Sequence, residues 1–197
     1  GTKAQLKKEV ITEISATLAF SALQNNDKVG LLLFSNQVEL YIPPKKGKSH
    51  ILRIIRELLE FSPINKLTNI NISLEFLSGI LKKKSIVFLL SDFMDDKYEK
   101  TLSIMAKKHD LTGIRVFDQK DESIPNLGLI QINDSETGEF KWINTQSSSV
   151  RKAYSDFFYK NVSFFENVFK KNGAGILSCR ADESYVIKLL NFFNSRG

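Results

Sequence analysis

The stretch Ser85–Asp96, SIVFLLSDFMDD, is the most informative part of the sequence about the class of fold. Its apolar residues, Ile86 to Leu90, run without interruption and are followed by Ser91 and Asp92. An apolar run of this length is typical of a strand that is buried on both faces, as in a parallel sheet. Open α/β sheets bind their ligands beyond the carboxyl ends of their strands, so Asp92 stands where a ligand crevice is expected.

The patterns on either side of this stretch alternate between helix and strand. The predicted helices begin at Lys3, Ser49, Ile70, Asp95, Val150 and Glu183. The predicted strands are Val29 to Phe34, Val38 to Ile42, Ile86 to Leu90, Leu111 to Phe117 and Ala174 to Arg180, with a hairpin from Ile130 to Asn144. Alternating strands and helices predict an α/β protein, with an open and mostly parallel sheet and helices on both faces.

The hairpin is the exception to this alternation. With its flanks it covers about residues 127–144, and two strands alone are too few to hold a core. It is therefore predicted to be an insertion in a single domain that spans residues 1–197. Val38 to Ile42 is predicted to be an antiparallel edge strand that ends at Pro43 and Pro44.

Length and composition limit the class of protein to which the chain can belong. The chain has 197 residues and a mass of 22.4 kDa, which suits one domain with a sizeable core. Its apolar runs are too short to cross a bilayer and its first residues do not form a signal peptide, so a cytoplasmic location is expected. The single cysteine, Cys179, excludes an internal disulfide. We predict that Cys179 is a small buried residue of the last strand, because no histidine lies near it in the sequence.

The basic character of the chain raises the question of nucleic-acid binding. The net charge is +6 and the pI is about 9.3. The lysines form scattered clusters, and no aromatic residues alternate with them in a base-stacking pattern. Lys82 to Lys84, Lys107–Lys108 and Lys170–Lys171 fall near the ends of predicted helices, where cations stabilise the helix dipole. Nucleic acid is therefore disfavoured as the partner.

Motifs of enzyme chemistry are missing from the sequence. Gly47–Ser49 resembles the end of a phosphate-binding loop, but no glycine stands at the earlier position that such a loop needs. His50 and His109 are isolated in the sequence, whereas zinc needs three or four ligands. No Gly-x-Ser-x-Gly nucleophile motif is present. A hydrolase function is therefore unsupported by the sequence.

Two polar residues remain as candidates for a site. Asp92 follows the buried strand, and Thr68 lies in the loop before the predicted helix that begins at Ile70. Taken singly, each fits a structural role, because threonine and aspartate are common at helix caps and in turns.

Taken together, these residues lie in segments that resemble a known family. NNDKVGLLLFS (25–35), LTNINISLEFL (67–77) and IVFLLSDFMDD (86–96) resemble consecutive blocks of a von Willebrand factor A-type domain, which has a Rossmann-like fold. Four later segments narrow the resemblance to the bacterial domain-of-unknown-function family 58, whose members carry an A-like domain. They are HDLTGIRVFD (109–118), IPNLGLIQINDSETGEFKWINT (124–145), VRKAY (150–154) and LLNFF (189–193).

The resemblance implies a metal-ion-dependent adhesion site. In A-type domains a divalent cation, usually Mg²⁺, is held by an Asp-x-Ser-x-Ser motif after the first strand, a threonine in a second loop and an aspartate after a later strand. The last two correspond to Thr68 and Asp92 in this sequence. Oxygen ligands of this kind suit a hard cation, which keeps open positions for water or for a partner's carboxylate.

The sequence also departs from the family. The Asp-x-Ser-x-Ser motif and the first strand, which should precede the helix that begins at Lys3, have no counterpart. We therefore expect an amino-terminally truncated domain, in which Val29 to Phe34 and Ile86 to Leu90 are parallel neighbours or flank a gap. Asn69 stands where the family tends to have an acidic residue. The partial site is expected to bind Mg²⁺ weakly and to be empty in this chain.

Two classes of function follow. The first is a non-enzymatic protein-interaction module with a partial metal-ion-dependent adhesion site, whose implied partner is a MoxR-type AAA+ ATPase. The second is a basic domain that binds nucleic acid or another anionic surface. Salt weakens phosphate binding steeply, whereas a chelator abolishes a contact bridged by a cation.

Overall fold

The structure, a computed structural model, describes residues 3–64, 67–118, 121–133 and 140–195. Within these ranges the chain forms six helices and seven strands. The helices are α1 (Lys3–Gln24), α2 (Lys48–Glu60), α3 (Ile70–Ile80), α4 (Glu99–Lys108), α5 (Ser148–Lys171) and α6 (Tyr185–Asn194). The strands are β1 (Val29–Phe34), β2 (Val38–Lys45), β3 (Ile86–Ser91), β4 (Asp110–Phe117), β5 (Leu129–Asn133), β6 (Phe140–Asn144) and β7 (Gly175–Arg180).

A parallel sheet in the order β3-β4-β7 forms the centre of the molecule. Leu89 of β3 is in register with Gly113 of β4, which is in register with Ile176 of β7. Leu111 to Val116 of β4 are all buried, as expected for a strand that is covered on both faces. The α/β class predicted from the sequence is therefore confirmed.

Helices cover both faces of this sheet, as predicted. On one face, α3, α4 and α5 pack against β3 and β4 through the buried residues Ile70, Leu74, Val87, Leu89, Leu102, Met105, Leu111, Phe165, Val168 and Phe169. On the other face, α1 and α6 pack against β4 and β7 through Val10, Ile14, Ile114, Val116, Cys179 and Leu189. Burial of these apolar side chains is the main favourable term in the stability of the domain.

Gly113 lets α5 approach the central strand closely. A Cβ atom at this position would lie 2.5 Å from Cε1 of Phe169 and 2.7 Å from Cε2 of Phe165. Both rings belong to the buried cluster on this face of the sheet. Glycine is therefore required here by packing rather than by backbone conformation.

β1 and β2 form a separate antiparallel sheet. Within the described residues no hydrogen-bonded pairing joins β1 to β3, so β3 lies at an edge of the parallel sheet. Of the two expected arrangements, direct parallel pairing of these strands is not found among the described residues, whereas an arrangement in which they flank a gap stays a prediction. No described strand forms backbone hydrogen bonds with both β1 and β3. The two sheets meet instead through side chains, since Phe34 of β1 packs against the cluster that contains Val87 and Leu89.

Several predicted boundaries also shift. β2 continues through Pro43 and Pro44, and Lys45 is still in register with Val29 of β1. Proline is tolerated there because an edge strand need not donate every N–H group to a ladder. The helix predicted to begin at Ser49 begins at Lys48, and its cap position is Gly47, whose φ of 104° suits glycine. The helix predicted from Asp95 begins only at Glu99.

β5 and β6 form the predicted antiparallel hairpin. The turn predicted at residues 134–138 lies outside the described residues. Thr145 holds the base of the hairpin, because its Oγ1 donates to the carbonyl oxygen of Gly128 and accepts from the backbone N–H of Leu127. One face carries exposed apolar side chains, with exposed fractions of 66% for Phe140 and 64% for Trp142.

Two predictions from composition can be compared with this structure. Cys179 is fully buried in β7, and burial raises the pKa of its thiol, which confirms its structural role. Of the helices within the described ranges, none combines the length and the apolar composition needed to cross a lipid bilayer.

Candidate functional site

The loop after β3 turns sharply at Phe93. Phe93 has a φ of 57°, in the left-handed region that residues other than glycine rarely adopt. Its buried ring lies 4.2 Å, centroid to centroid, from the ring of Phe165. The backbone N–H of Phe93 also donates a 3.1 Å hydrogen bond to Oγ of Ser91. Burial of the Phe93 ring and this hydrogen bond hold the turn. The side chain of Asp92, which lies between Ser91 and Phe93 in the sequence, remains 38% exposed.

The loop before α3 places Thr68 at the surface. Thr68 is exposed, and the next residue, Asn69, donates its backbone N–H to the carbonyl oxygen of Ser35, directly after β1, at 3.0 Å. The side chain of Asn69 accepts a 3.2 Å hydrogen bond from the backbone N–H of Ile72 and so caps α3. Asn69, which stands where the family resemblance implies an acidic residue, therefore has a structural role as a helix cap.

Asp95 connects the loops that carry the two predicted ligands. Its Oδ2 accepts a 2.9 Å hydrogen bond from the backbone N–H of Ile70, at the start of α3. The loop after β3, with Asp92, is thereby tied to the loop that holds Thr68. Among the described residues, no hydrogen bond joins Thr68 to Asp92 itself. Their joint role in cation binding therefore stays a prediction.

The charges around Asp92 are dominated by Lys7 of α1. Nζ of Lys7 lies 3.7 Å from Oδ2 of Asp92 and 3.0 Å from Oδ2 of Asp121, in the segment that follows β4. Burial alone would lower the pKa of Lys7, but the two carboxylates outweigh it and raise that pKa above its ordinary value. The backbone N–H of Met94 donates to Oδ1 of Asp92 at 3.4 Å. Both oxygens of Asp92 thus already have partners within the chain.

A second cation, Arg115, lies buried near the end of β4. It is 3% exposed, and its guanidinium carbon lies 4.1 Å from the ring centroid of Phe117 and 4.9 Å from that of Phe158. Burial lowers the pKa of Arg115, while Asp92 and Glu122 oppose that shift. Among the described residues, Nε and Nη2 have no hydrogen-bond partner. Contacts with the two rings are therefore its main attractive interactions at short range.

Sequence patterns did not identify Lys7, Asp121 or Arg115 as parts of this region. Lys7 and Asp121 are 114 positions apart in the chain, so only the folded topology brings them together. Arg115 interrupts an apolar strand, and a charged residue within such a run is the one signal that could have indicated it.

Metal ligands in this region are few. Within the described part of the chain, no cluster of three or more His, Cys, Asp or Glu side chains is arranged to hold a metal ion. The carboxylate of Asp92 and the hydroxyl of Thr68 are oxygen donors that suit Mg²⁺ in type, but not in number.

Comparison with known families identifies the relationship of the chain. The family described as "Protein of unknown function DUF58" matches residues 1–161, which is more than half of the sequence. The chain belongs to this family. DUF58 membership agrees with the resemblance found in the sequence, and the family description assigns no activity.

Relatives of this DUF58 chain are known from mycobacteria. Uncharacterized proteins Mb1516 of Mycobacterium bovis and Rv1480 of Mycobacterium tuberculosis are each 20% identical over 203 residues, covering 100% of this chain and 62% of the relative. The chain thus spans less than two thirds of the length of these relatives. Uncharacterized protein MAV169 of Mycobacterium avium is 20% identical over 158 residues, covering 79% of this chain and 93% of that protein.

A solved structure supports the fold of this DUF58 chain. The conserved hypothetical protein BatB from Bacteroides thetaiotaomicron superposes with a TM-score of 0.55 at 14% identity. The match covers 96% of this chain and 86% of BatB. At this identity the similarity concerns the fold alone.

Proposed function

We propose that this chain is a non-enzymatic, cytoplasmic protein-interaction module whose contact site lies at the carboxyl end of the parallel sheet. The observation that carries the proposal is Asp92, a partly exposed carboxylate held by a strained turn directly after the buried strand β3. Strained backbone conformations cluster at functional sites because the surrounding structure must maintain them. The carboxyl end of such a sheet is also where α/β proteins bind ligands.

The proposal includes a von Willebrand factor A-like architecture. β1 and β3 each have a ladder partner on one side only, β2 and β4 respectively. Phe34, the last residue of β1, packs against the cluster that contains Val87 and Leu89 of β3. One further parallel strand between β1 and β3 would join the two sheets into a single open sheet.

The proposed site is a partial metal-ion-dependent adhesion site formed by Thr68 and Asp92. Bound there, Mg²⁺ would supply open coordination positions for an oxygen ligand of a partner protein. The loops that carry the two residues are linked through the hydrogen bond between Asp95 and the backbone of Ile70. We propose a MoxR-type AAA+ ATPase as the partner, on the basis of the family resemblance in the sequence.

Binding of the partner provides the test. A purified MoxR-type ATPase from the same organism should bind the chain in the presence of Mg²⁺, and EDTA should release it. Asp92→Ala should weaken binding by at least about tenfold, or about 1.4 kcal/mol. Asp182→Ala is a matched control, because Asp182 is an exposed aspartate after β7 that pairs with Arg180. Binding that survives both EDTA and Asp92→Ala would contradict the proposed site.

A basic domain that binds nucleic acid or an anionic surface is the second candidate, favoured by the net charge of +6. Part of this charge is already paired within the chain, as Lys170 with Glu166 and Lys171 with Glu99 show. Binding to a mixed-sequence DNA duplex or to anionic vesicles should then fall steeply with salt and be insensitive to EDTA. That pattern, without any Mg²⁺-dependent partner, would favour this second function.

A further inference from the structure

The hairpin of β5 and β6 presents an uncharged and largely apolar face to solvent. Its register places Leu129 opposite Asn144 and Gln131 opposite Trp142, and residues that are directly opposite in a sheet point to the same side. Phe140 shares that side because it lies two positions before Trp142. Leu129, Phe140 and Trp142 are 63%, 66% and 64% exposed. These five residues, none of them ionisable, form what we call the hairpin face.

The base of the hairpin is held firmly, so the hairpin face is presented in a defined orientation. Ile130 and Ile143, opposite each other on the other side of the hairpin, are half-buried. The guanidinium of Arg151, in the first turn of α5, donates hydrogen bonds to the carbonyl oxygens of Thr145 and Gln146 at 2.7 Å and 2.8 Å. A surface that is already ordered loses less conformational entropy when it binds.

The area of the hairpin face is enough for a small interface. Together with Leu127, which precedes β5 and is 64% exposed, its large apolar side chains expose on the order of 500 Å². Apolar patches of this size on a monomer are often interaction sites. Two such faces packed together would bury about 1,000 Å², which is the lower limit of a specific interface.

Charge indicates which partner the hairpin face suits. Charged partners are recognised through complementary charges, and the five residues of this face offer none. The chain has a net charge of +6, but a face without charges can pack against its own copy without burying like charges. Trp142 lies in the middle of the face, between Phe140 and Asn144 on β6. A two-fold axis through the Gln131–Trp142 pair would therefore stack Trp142 on Trp142 of a second copy.

We propose that the hairpin face is a homodimer interface, through which two copies of this chain associate face to face. Aromatic residues are enriched at the centres of protein interfaces, and Trp142 is the central anchor of this one. Because the buried area is at the lower limit, we expect a dissociation constant on the order of 10 µM. Thr68 and Asp92 are not part of the face, so the dimer does not depend on the proposed cation site.

Tryptophan fluorescence tests the proposal, because Trp142 is the single tryptophan of the chain and reports on this face alone. We expect its emission maximum to move to shorter wavelength as the concentration of the chain rises from about 1 µM to about 1 mM, a range that spans the expected dissociation constant. Over the same range, sedimentation equilibrium should show the mass rising from 22.4 kDa toward that of a dimer.

A pair of matched variants locates the interface. Leu129→Lys places a charge in the hairpin face and should weaken association by at least about tenfold. Leu190→Lys makes the same change in net charge at a leucine of α6 that is 58% exposed and lies outside the face, and it should associate like the native chain. Trp142→Ser should also stay monomeric when followed by mass alone. Circular dichroism establishes that each variant is folded.

Several outcomes would overturn the homodimer. A mass and an emission maximum that do not change with concentration would do so, as would association that survives both Leu129→Lys and Trp142→Ser. Association lost only in Leu190→Lys would place the interface on α6 instead. An emission shift that appears only when a MoxR-type ATPase is added would assign the hairpin face to that protein rather than to a second copy.

Discussion

At the residue scale, three side chains hold buried polar atoms that lack hydrogen-bond partners among the described residues. They are Tyr98, His109 and Arg115. A buried polar atom without a partner costs about 1–3 kcal/mol relative to one that is satisfied. Burial raises the pKa of Tyr98, so its phenol stays neutral, whereas burial lowers the pKa of His109. The stability of the domain should therefore depend on pH through His109.

We predict that the free energy of unfolding decreases as the pH falls below about 6.5, the ordinary pKa of histidine. The pKa of His109 is lowered in the folded chain by burial and by Lys108, so the unfolded chain binds the proton first. Protonation then favours unfolding, and the loss grows as the pH falls toward the folded pKa. Urea unfolding between neutral pH and about pH 5.5 should show a smaller loss in His109→Gln than in the native chain.

The control for this pH effect is His50→Gln. Nε2 of His50 lies 2.9 Å from the carbonyl oxygen of Val29, so its ring has a partner. A pH dependence that is reduced more in His109→Gln than in His50→Gln would assign the effect to His109. An unchanged pH dependence in His109→Gln would show that another group is responsible.

Packing at Gly113 leads to a second prediction. Gly113→Ala should lower the free energy of unfolding by about 1–3 kcal/mol, since its Cβ would overlap the rings of Phe165 and Phe169. Gly79→Ala is the matched control in α3, because no atom lies within 4 Å of its added Cβ. That change should stabilise the helix by roughly 0.5–1 kcal/mol. Denaturant unfolding of both variants measures the difference, and equal effects would contradict the packing argument.

At the element scale, local patterns predicted most helices and strands but not how they end or pair. The repeating apolar residues of α1 predict a helix, and the uninterrupted apolar run of β3 predicts a strand, without information from the rest of the fold. The end of β2 was missed because the prolines at 43 and 44 are tolerated when the neighbouring strand lies on one side only. The start of α4 was missed because Asp95 is occupied with the backbone of Ile70, a contact between distant segments.

The candidate site shows the same limit. Asp92 could be recognised because it directly follows an apolar strand. Lys7 and Asp121 could not, because each is an ordinary surface-type residue whose role depends on a contact across 114 positions. Local sequence carries no signal for such a contact between charges.

The hairpin of β5 and β6 should contribute little to global stability. Trp142 is the single tryptophan and is 64% exposed, whereas Leu189 of α6 is 4% exposed. We predict that Trp142→Ser changes the free energy of unfolding by less than about 0.5 kcal/mol, and that Leu189→Ala lowers it by about 2–5 kcal/mol. Thermal unfolding followed by circular dichroism compares the two. A large loss in Trp142→Ser would mean that the hairpin packs against the domain.

At the scale of the whole molecule, the described residues form a parallel sheet that helices cover on both faces, the two-stranded sheet of β1 and β2, and the hairpin of β5 and β6. The central strand β4 is buried from Leu111 to Val116, whereas no residue of β1 is fully buried. Elements with few buried contacts open at lower free energy than the core. The two sheets should therefore differ in local stability.

Amide hydrogen exchange measures this difference. We predict that the amides of β1 exchange faster than those of β4 in the native chain. A partner strand that pairs with β1 should slow the exchange of its amides. Equal protection of the β1 and β4 amides from hydrogen exchange would contradict a difference in local stability between the two sheets.

We propose that Thr68 and Asp92 belong to one cation site at the carboxyl end of the parallel sheet. Paramagnetic broadening of backbone amide resonances by dilute Mn²⁺ tests it most directly, because broadening falls steeply with distance from the ion. We predict that the amides of residues 67–70 and 91–95 broaden first and that Asp92→Ala removes the effect. Broadening centred elsewhere, or unchanged by Asp92→Ala, would contradict it.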